Sequence, residues 1–150
     1  MLAQAFSILL ATLISFGAVG IDSQDAPEAE VLWGNWQFHR YILKGETHSI
    51  PNPQLVLQYE FFADGTNRLF WTRKNEPGFC ERQALYLYQD ELIHQEVVWV
   101  NPENSIECSK DMDMQLGQKN TTRLKRVGEF LHLHIPFSGE DFIYVLKRVR

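Results

Sequence analysis

The sequence predicts an all-β fold, eight to nine antiparallel strands closed as an up-and-down β-barrel. Three observations carry this. Apolar and polar residues alternate through most of the chain, turn-forming residues interrupt the alternation at short intervals, and no apolar repeat of helical period is sustained. No long crossover separates the segments, which excludes parallel pairing. Successive hairpins favour a barrel over a sandwich, whose sheets need Greek-key jumps.

The first element is not part of the barrel. Residues 1–20, MLAQAFSILLATLISFGAVG, have no charged side chain, an apolar run from Ala5 to Val19, and the small-x-small ending Ala18-Val19-Gly20 that a signal peptidase reads. The run is short for a bilayer span and is broken by Ser7, Ser15 and Gly17. The expectation is a signal peptide over 1–20 and an exported protein, periplasmic or secreted. Residues 21–30, IDSQDAPEAE, read as a disordered leader. The domain proper then spans 31–150.

The strands follow in order. In PQLVLQYEFFADGTNRLFWTRKN, Leu55, Leu57, Tyr59 and Phe61 face one way and Gln54, Gln58 and Glu60 the other. Asp64-Gly65 is expected to supply both φ-positive positions of a tight hairpin. NEPG (75–78) ends the next strand, Gln89-Asp90 joins FCERQALYLYQD to ELIHQEVVWV, and NPENS (101–105) breaks the pattern. In CSKDMDMQL, Met112, Met114 and Leu116 share one face of an alternating segment, and Asp111 and Asp113 the other. GQKN, Gly128-Glu129 and SGED separate the final strands TTRLKRV, FLHLHIPF and DFIYVLKRV.

The 150-residue chain carries a formal net charge of −5, all of it beyond the uncharged residues 1–20. An acidic domain has no electrostatic reason to seek nucleic acid or an anionic membrane. The basic groups Arg123, Lys125, Arg126 and Lys147, Arg148, Arg150 read as solvated strand faces. Cys80 and Cys108 are the only cysteines, and in an exported chain they predict a disulfide.

LWGNWQFHRYILKG resembles the first signature of the lipocalin/calycin superfamily, in which Gly-x-Trp opens the first strand. The matching residues are Gly34, Asn35 and Trp36. The resemblance implies that Gly34 permits a close approach where the chain crosses the barrel floor, and that Trp36 plugs the closed end. It also implies a basic residue of the last strand across the indole. FIYVLKRVR offers Arg148. Avidin-type barrels share the opening Gly-x-Trp. The Thr-Asp-Tyr of typical lipocalins is missing, and the last strand leaves no room for their C-terminal helix.

Other chemistry finds less support. His132 and His134 share a strand face, but no third ligand is fixed by spacing, so no metal is assigned. His39, His48 and His94 are isolated, Asp111 and Asp113 read as a solvated acidic pair, and Asn120-Thr121-Thr122 is a formal glycosylation sequon. No Gly-x-Ser-x-Gly, phosphate loop or HExxH occurs. A non-enzymatic protein is expected, without a cofactor. In a barrel the core and the pocket wall are one layer, so Phe38, Arg40, Tyr59, Phe61, Tyr86, Tyr88, Trp99 and Tyr144 are the lumen candidates.

The main expectation is therefore a carrier of a small hydrophobic molecule, which is its only assigned partner, with no membrane span in the mature form. The alternative is an exported interaction barrel of the enzyme-inhibitor type, acting through VNPENSIECSKD near the disulfide. A calycin-fold enzyme ranks last.

Overall fold

The computed structural model describes residues 26–137 and 139–149. The expected signal peptide, 1–20, and the first half of the expected leader lie outside the described residues. The second half of the leader contains a short helix, α1 (Ala26–Ala29), whose Ala29 packs against the core. No helix among the described residues is long and apolar enough to cross a membrane.

Nine strands follow: β1 (Gly34–Leu43), β2 (Glu46–Ser49), β3 (Leu55–Phe61), β4 (Thr66–Arg73), β5 (Cys80–Gln89), β6 (Leu92–Val100), β7 (Lys119–Val127), β8 (Phe130–Phe137) and β9 (Glu140–Arg148). Neighbours from β3 to β9 pair antiparallel in chain order, and β9 returns to pair with β1 from Trp36 to Leu43. That pairing closes an eight-stranded up-and-down barrel, with β2 as one additional strand. β1 explains the extra strand: its first residues pair with β3, and Arg40–Leu43 then pair with β2, which folds back where β3 diverges.

The turns follow local chemistry, with two shifts from expectation. Asp64 keeps a negative φ, and only Gly65 is left-handed, at φ 80°. Asp64 instead accepts hydrogen bonds from the Thr66 backbone amide and hydroxyl, which is how a short acid holds a turn from outside it. The β5–β6 hairpin turns at Asp90-Glu91, with φ values of 52° and 60°, one residue beyond the expected pair. Residues 106–116 are also not the strand that their alternation suggests. They form two 3-10 turns, Ile106–Lys110 and Met112–Met114, in which Met114 is buried while Met112 and Leu116 stay exposed.

Alternation fails at two β-bulges. β1 carries an extra residue, His39, between Phe38 and Arg40, and β6 carries one, Val98, opposite the Gln83–Ala84 step. Each bulge turns every later side chain of its strand to the opposite face.

The core fills the closed end. Trp36, Phe38, Phe61, Tyr88, Ile93, Leu124, Leu131 and Leu146 are all buried there. The Trp36 indole donates to the Leu32 carbonyl at 2.6 Å, and the Arg126 and Arg148 guanidinium carbons lie 5.1 and 5.5 Å from its ring centroid. Arg148 also donates to the Trp33 carbonyl. Gly34 sits at φ 117°, and a β-carbon there would come within 3.0 Å of the Arg148 guanidinium. The backbone angle favours glycine, and the absent side chain leaves room for the Arg148 guanidinium. Arg123 and Lys125 pair with Glu91 on the solvated outer face.

Candidate functional site

The other half of the barrel is hollow. A cavity of about 480 Å³ opens at the end where β3 and β9 begin and β4 and β8 finish. Its walls are apolar and aromatic: Leu57, Tyr59, Leu69, Trp71, Leu133, Ile135 and Tyr144. These are the inward positions of β3, β4, β8 and β9, set there by the two-residue period. Gln95, Asn120 and Thr122 of β6 and β7 make one side polar.

The segment 106–116 lies over the β5–β6 side of the mouth. The Cys80–Cys108 disulfide, with its α-carbons 5.6 Å apart, fixes one end of the segment to the start of β5. Its far end inserts Met114 into the core. Asp113 then reaches the cavity, where the Asn120 side-chain amide donates to its Oδ1 at 3.0 Å. Burial raises the Asp113 carboxyl above the usual range, and Asp111 adds to the rise, against Arg82 and the Asn120 hydrogen bond. Asp113 is therefore half-buried rather than solvated, and the sequon residue Asn120 turns its amide into the lumen.

Beneath the cavity is a polar tier. Asn67, Arg82 and Gln95 are all buried. Arg82 Nη1 donates to Asn67 Oδ1, and Asn67 Nδ2 donates to Gln95 Oε1 at 2.9 Å. Gln95 Nε2 continues the chain to Asn120 Oδ1 at 3.2 Å. The Arg82 guanidinium carbon lies 5.6 Å from the Tyr59 ring centroid. Burial pushes the Tyr59 phenol up to about 12, with Arg82 opposing and Asp113 and Asp111 adding to the shift.

Of the eight lumen candidates, Tyr59 and Tyr144 line the cavity. Phe38 packs tilted against Tyr144 with ring centroids 4.4 Å apart, and Phe61 stacks on Tyr59 at 5.7 Å, so both support the floor. Tyr88 is buried at the closed end, donating to the Leu124 carbonyl at 2.8 Å. Tyr86 donates to the Phe62 carbonyl at 3.0 Å. Arg40 and Trp99 require correction: both lie outside the barrel. Each follows a bulge, so a residue in phase with Phe38 or Val97 by simple counting is turned outward. Arg40 instead covers the Phe130 ring at 4.8 Å, and Trp99 is partly solvated.

Sequence reasoning missed Arg82, Asn67 and Gln95. The available signal was parity, because Arg82 is in phase with Cys80, Ala84 and Tyr88 along β5. On the outer face, His134 Nδ1 lies 3.0 Å from Asp141 Oδ1, and burial holds the His132 imidazole below its usual range, with His134 and Arg40 contributing. Among the described residues no three potential metal ligands converge.

No family model matches the chain, and no curated protein does. A search of solved structures finds a lipocalin-like protein from Bacteroides uniformis at a TM-score of 0.53 and 18% identity, covering 79% of this chain and 99% of that one. The fold is lipocalin-like. A protein from Bacteroides eggerthii aligns over 78% of this chain and 98% of its own, at a TM-score of 0.48 and 16% identity. At such identities the lipocalin-like likeness concerns the backbone alone. The Gly34–Trp36 signature, with Arg148 over the indole, occupies the place that the resemblance implied.

Proposed function

We propose that this chain is an exported, non-enzymatic lipocalin-like protein that holds a small, largely apolar molecule in the upper half of its barrel. One observation carries the reading: the 480 Å³ cavity, walled by aliphatic and aromatic side chains and edged by a few polar ones. Pockets for small ligands have this size and this composition. A disulfide between Cys80 and Cys108 is compatible with an oxidising compartment and therefore with export.

The test is binding of a neutral fluorescent apolar probe, 1-aminoanthracene, followed by native mass spectrometry of the purified protein. Saturable binding at one probe per chain is expected, and Leu133→Trp, which fills the cavity, should abolish it. A probe that fails to bind, or binds equally well to a folded Leu133→Trp variant, would overturn the reading.

A second reading has its own observation. Ile106, Met112 and Leu116 are 81%, 62% and 70% exposed, all on the segment pinned by the disulfide. Beside them a groove runs from Trp71 and Met112 to Ile106. A pre-organised apolar loop suits contact with another protein, as an inhibitor barrel would make. Pull-down from the exported fraction with wild type and with Ile106→Ser/Met112→Ser separates the two readings.

A further inference from the structure

The cavity wall carries charge of one sign. Asp111 and Asp113 both line it, and among the described residues that line it there is no lysine, arginine or histidine. Asp113 is half-buried; its Oδ1 accepts from the Asn120 amide at 3.0 Å, and its Oδ2 has no partner among the described residues. Asp111 Oδ1 accepts from the Asp113 backbone amide at 3.0 Å, which holds the two carboxylates on one turn. A carboxylate that leaves water is ordinarily paired with a cation, because an unpaired one loses several kcal/mol of hydration. The cations on either side are engaged elsewhere: Lys110 with Glu107 at 2.5 Å, Lys119 with Glu96 at 3.2 Å, and Arg73 with Glu76 at 2.8 Å. Arg82 attracts Asp113 from the polar tier, but burial and Asp111 outweigh it and keep the carboxyl above its usual range. One buried cation therefore faces two acids.

A second observation does not depend on the acids. Tyr59 lines the cavity and is only 6% exposed, yet nothing among the described residues hydrogen-bonds its hydroxyl. Buried phenols ordinarily have a partner. Tyr59 and Tyr144 both feel the charge of Asp111 and Asp113, so two phenols and two carboxylates converge on one region of the lumen. The Trp71 ring borders the same region and shares the adjoining groove with Asp111. Carboxylate and phenol oxygens accept the N–H bonds of an ammonium, and aromatic faces attract its charge. A neutral head leaves the carboxylates unanswered, and an anionic one is repelled by them.

We propose that the ligand of this cavity is a basic amphiphile, an amine whose ammonium sits among Asp113, Asp111 and the Tyr59 hydroxyl. This rests on the binding reading above. Its apolar body lies along Leu57, Leu133 and Ile135. The head is thus held by segment 106–116, which the disulfide fixes, and the body by the barrel strands. Arg82 repels the ammonium from the tier beneath and keeps it on the side of that segment. Only hydrogen bonds and ionic contacts form, and no covalent bond changes.

The experiment compares three ligands of one chain length, decylamine, decanol and decanoic acid, by displacement of 1-aminoanthracene from the full protein at neutral pH. Wild type should bind the amine about tenfold or more tightly than the alcohol, the ratio that one charge-assisted contact supports. The acid should be weakest. In Asp113→Asn, which can still accept from Asn120, the ratio of amine to alcohol should fall to near unity, and in Asp111→Asn it should fall part of the way. Glu103→Gln removes an exposed acid outside the cavity and should leave the ratio unchanged. An equal loss in Glu103→Gln would assign the preference to net charge and overturn the proposal. If Asp113→Asn does not fold, the wild-type ratio and Asp111→Asn still decide. Equal binding of amine and alcohol, or tightest binding of the acid, overturns the basic-ligand proposal while leaving the cavity a binding site. Failure of the probe itself to bind overturns the binding reading beneath it.

Discussion

The two halves of the barrel are built on different plans. At the closed end, the buried Trp36 indole and Tyr88 hydroxyl are answered by the backbone carbonyls of Leu32 and Leu124, and the exposed Arg148 donates to that of Trp33. Side chains are then free to be apolar and to fill the space. In the open half, Asn67, Arg82, Gln95, Asn120 and Asp113 answer one another, side chain to side chain. Such a chain of amides and charges cannot fill volume as aliphatic groups do, and it borders the cavity. On the proposed binding reading, stability would rest on one half and recognition on the other. Substitutions at the closed end should unfold the protein, and those in the open half should change what it does.

The largest effect tests the closed end. Trp36 is fully buried where β1 meets both β3 and β9, so Trp36→Ala should cost about 3–5 kcal/mol. Trp33, half-buried, should cost less on truncation. Urea unfolding of both variants checks the order. A Trp33→Ala variant less stable than Trp36→Ala would mean that the floor of the barrel is organised around the wrong indole.

The two halves were also unequally legible. Trp36 and Arg148 could be read because a tryptophan behind a required glycine, and an arginine in the last strand, hold their meaning without counting residues. The lumen had to be read by parity, and parity is reset by any bulge. His39 and Val98 each add one residue, so Arg40 and Trp99 point away from the place that alternation gave them. Arg82 failed to register for a different reason. A lone arginine between polar residues on a strand reads as solvent-facing, and only closure of the barrel shows that its nitrogens donate to Asn67 and Gln95 beside the Tyr59 ring. Alternation at 106–116 misled because Met114 is buried through a 3-10 turn rather than a strand.

The next effect bears on the boundary between the halves. Cys80–Cys108 closes a loop with a sequence separation of 28, and in the chain-entropy account its loss costs roughly 3–4 kcal/mol. Reduction should lower the thermal midpoint and, by freeing residues 106–116 from β5, weaken retention of probe in the cavity. Stability falling while probe retention stays constant would show that the segment takes no part in enclosing the ligand. Titration of two reactive thiols in the unreduced native protein would remove the disulfide from the account.

A pH experiment isolates the open half. The folded protein holds the Tyr59 proton to about 12, while the unfolded chain releases it near 10. Below pH 10 the phenol is protonated in both states and the full stability is present. Between pH 10 and 12 the unfolded state alone loses the proton, and stability falls by on the order of 2–3 kcal/mol. Tyr86, Tyr88 and Tyr144 are also shifted upward by burial and steepen the same limb. Tyr59→Phe should flatten it, as measured by urea midpoints across that range. An unchanged slope would place the Tyr59 hydroxyl in contact with water.

The smallest effect divides the closed end itself. Both Arg126 and Arg148 approach the Trp36 ring, yet they are held differently. Arg126 donates to the Gly128 carbonyl, two residues away, and to that of Val31. Arg148 donates to Trp33 across the junction of the first and last strands, in the space that Gly34 leaves open. Each cation–π contact supports on the order of 0.5–2 kcal/mol. Arg148→Ala should cost more than Arg126→Ala, because it also removes the tie between the two ends of the barrel. The cycle with Trp36→Phe tells ring contact from strand closure. Coupling to Trp36 should be similar for both arginines, since both lie about equally far from the ring. The excess cost of Arg148→Ala should persist in the Trp36→Phe background. If that excess vanished with the indole, the hydrogen bond to Trp33 would contribute nothing to closure, and both arginines would act through the ring alone.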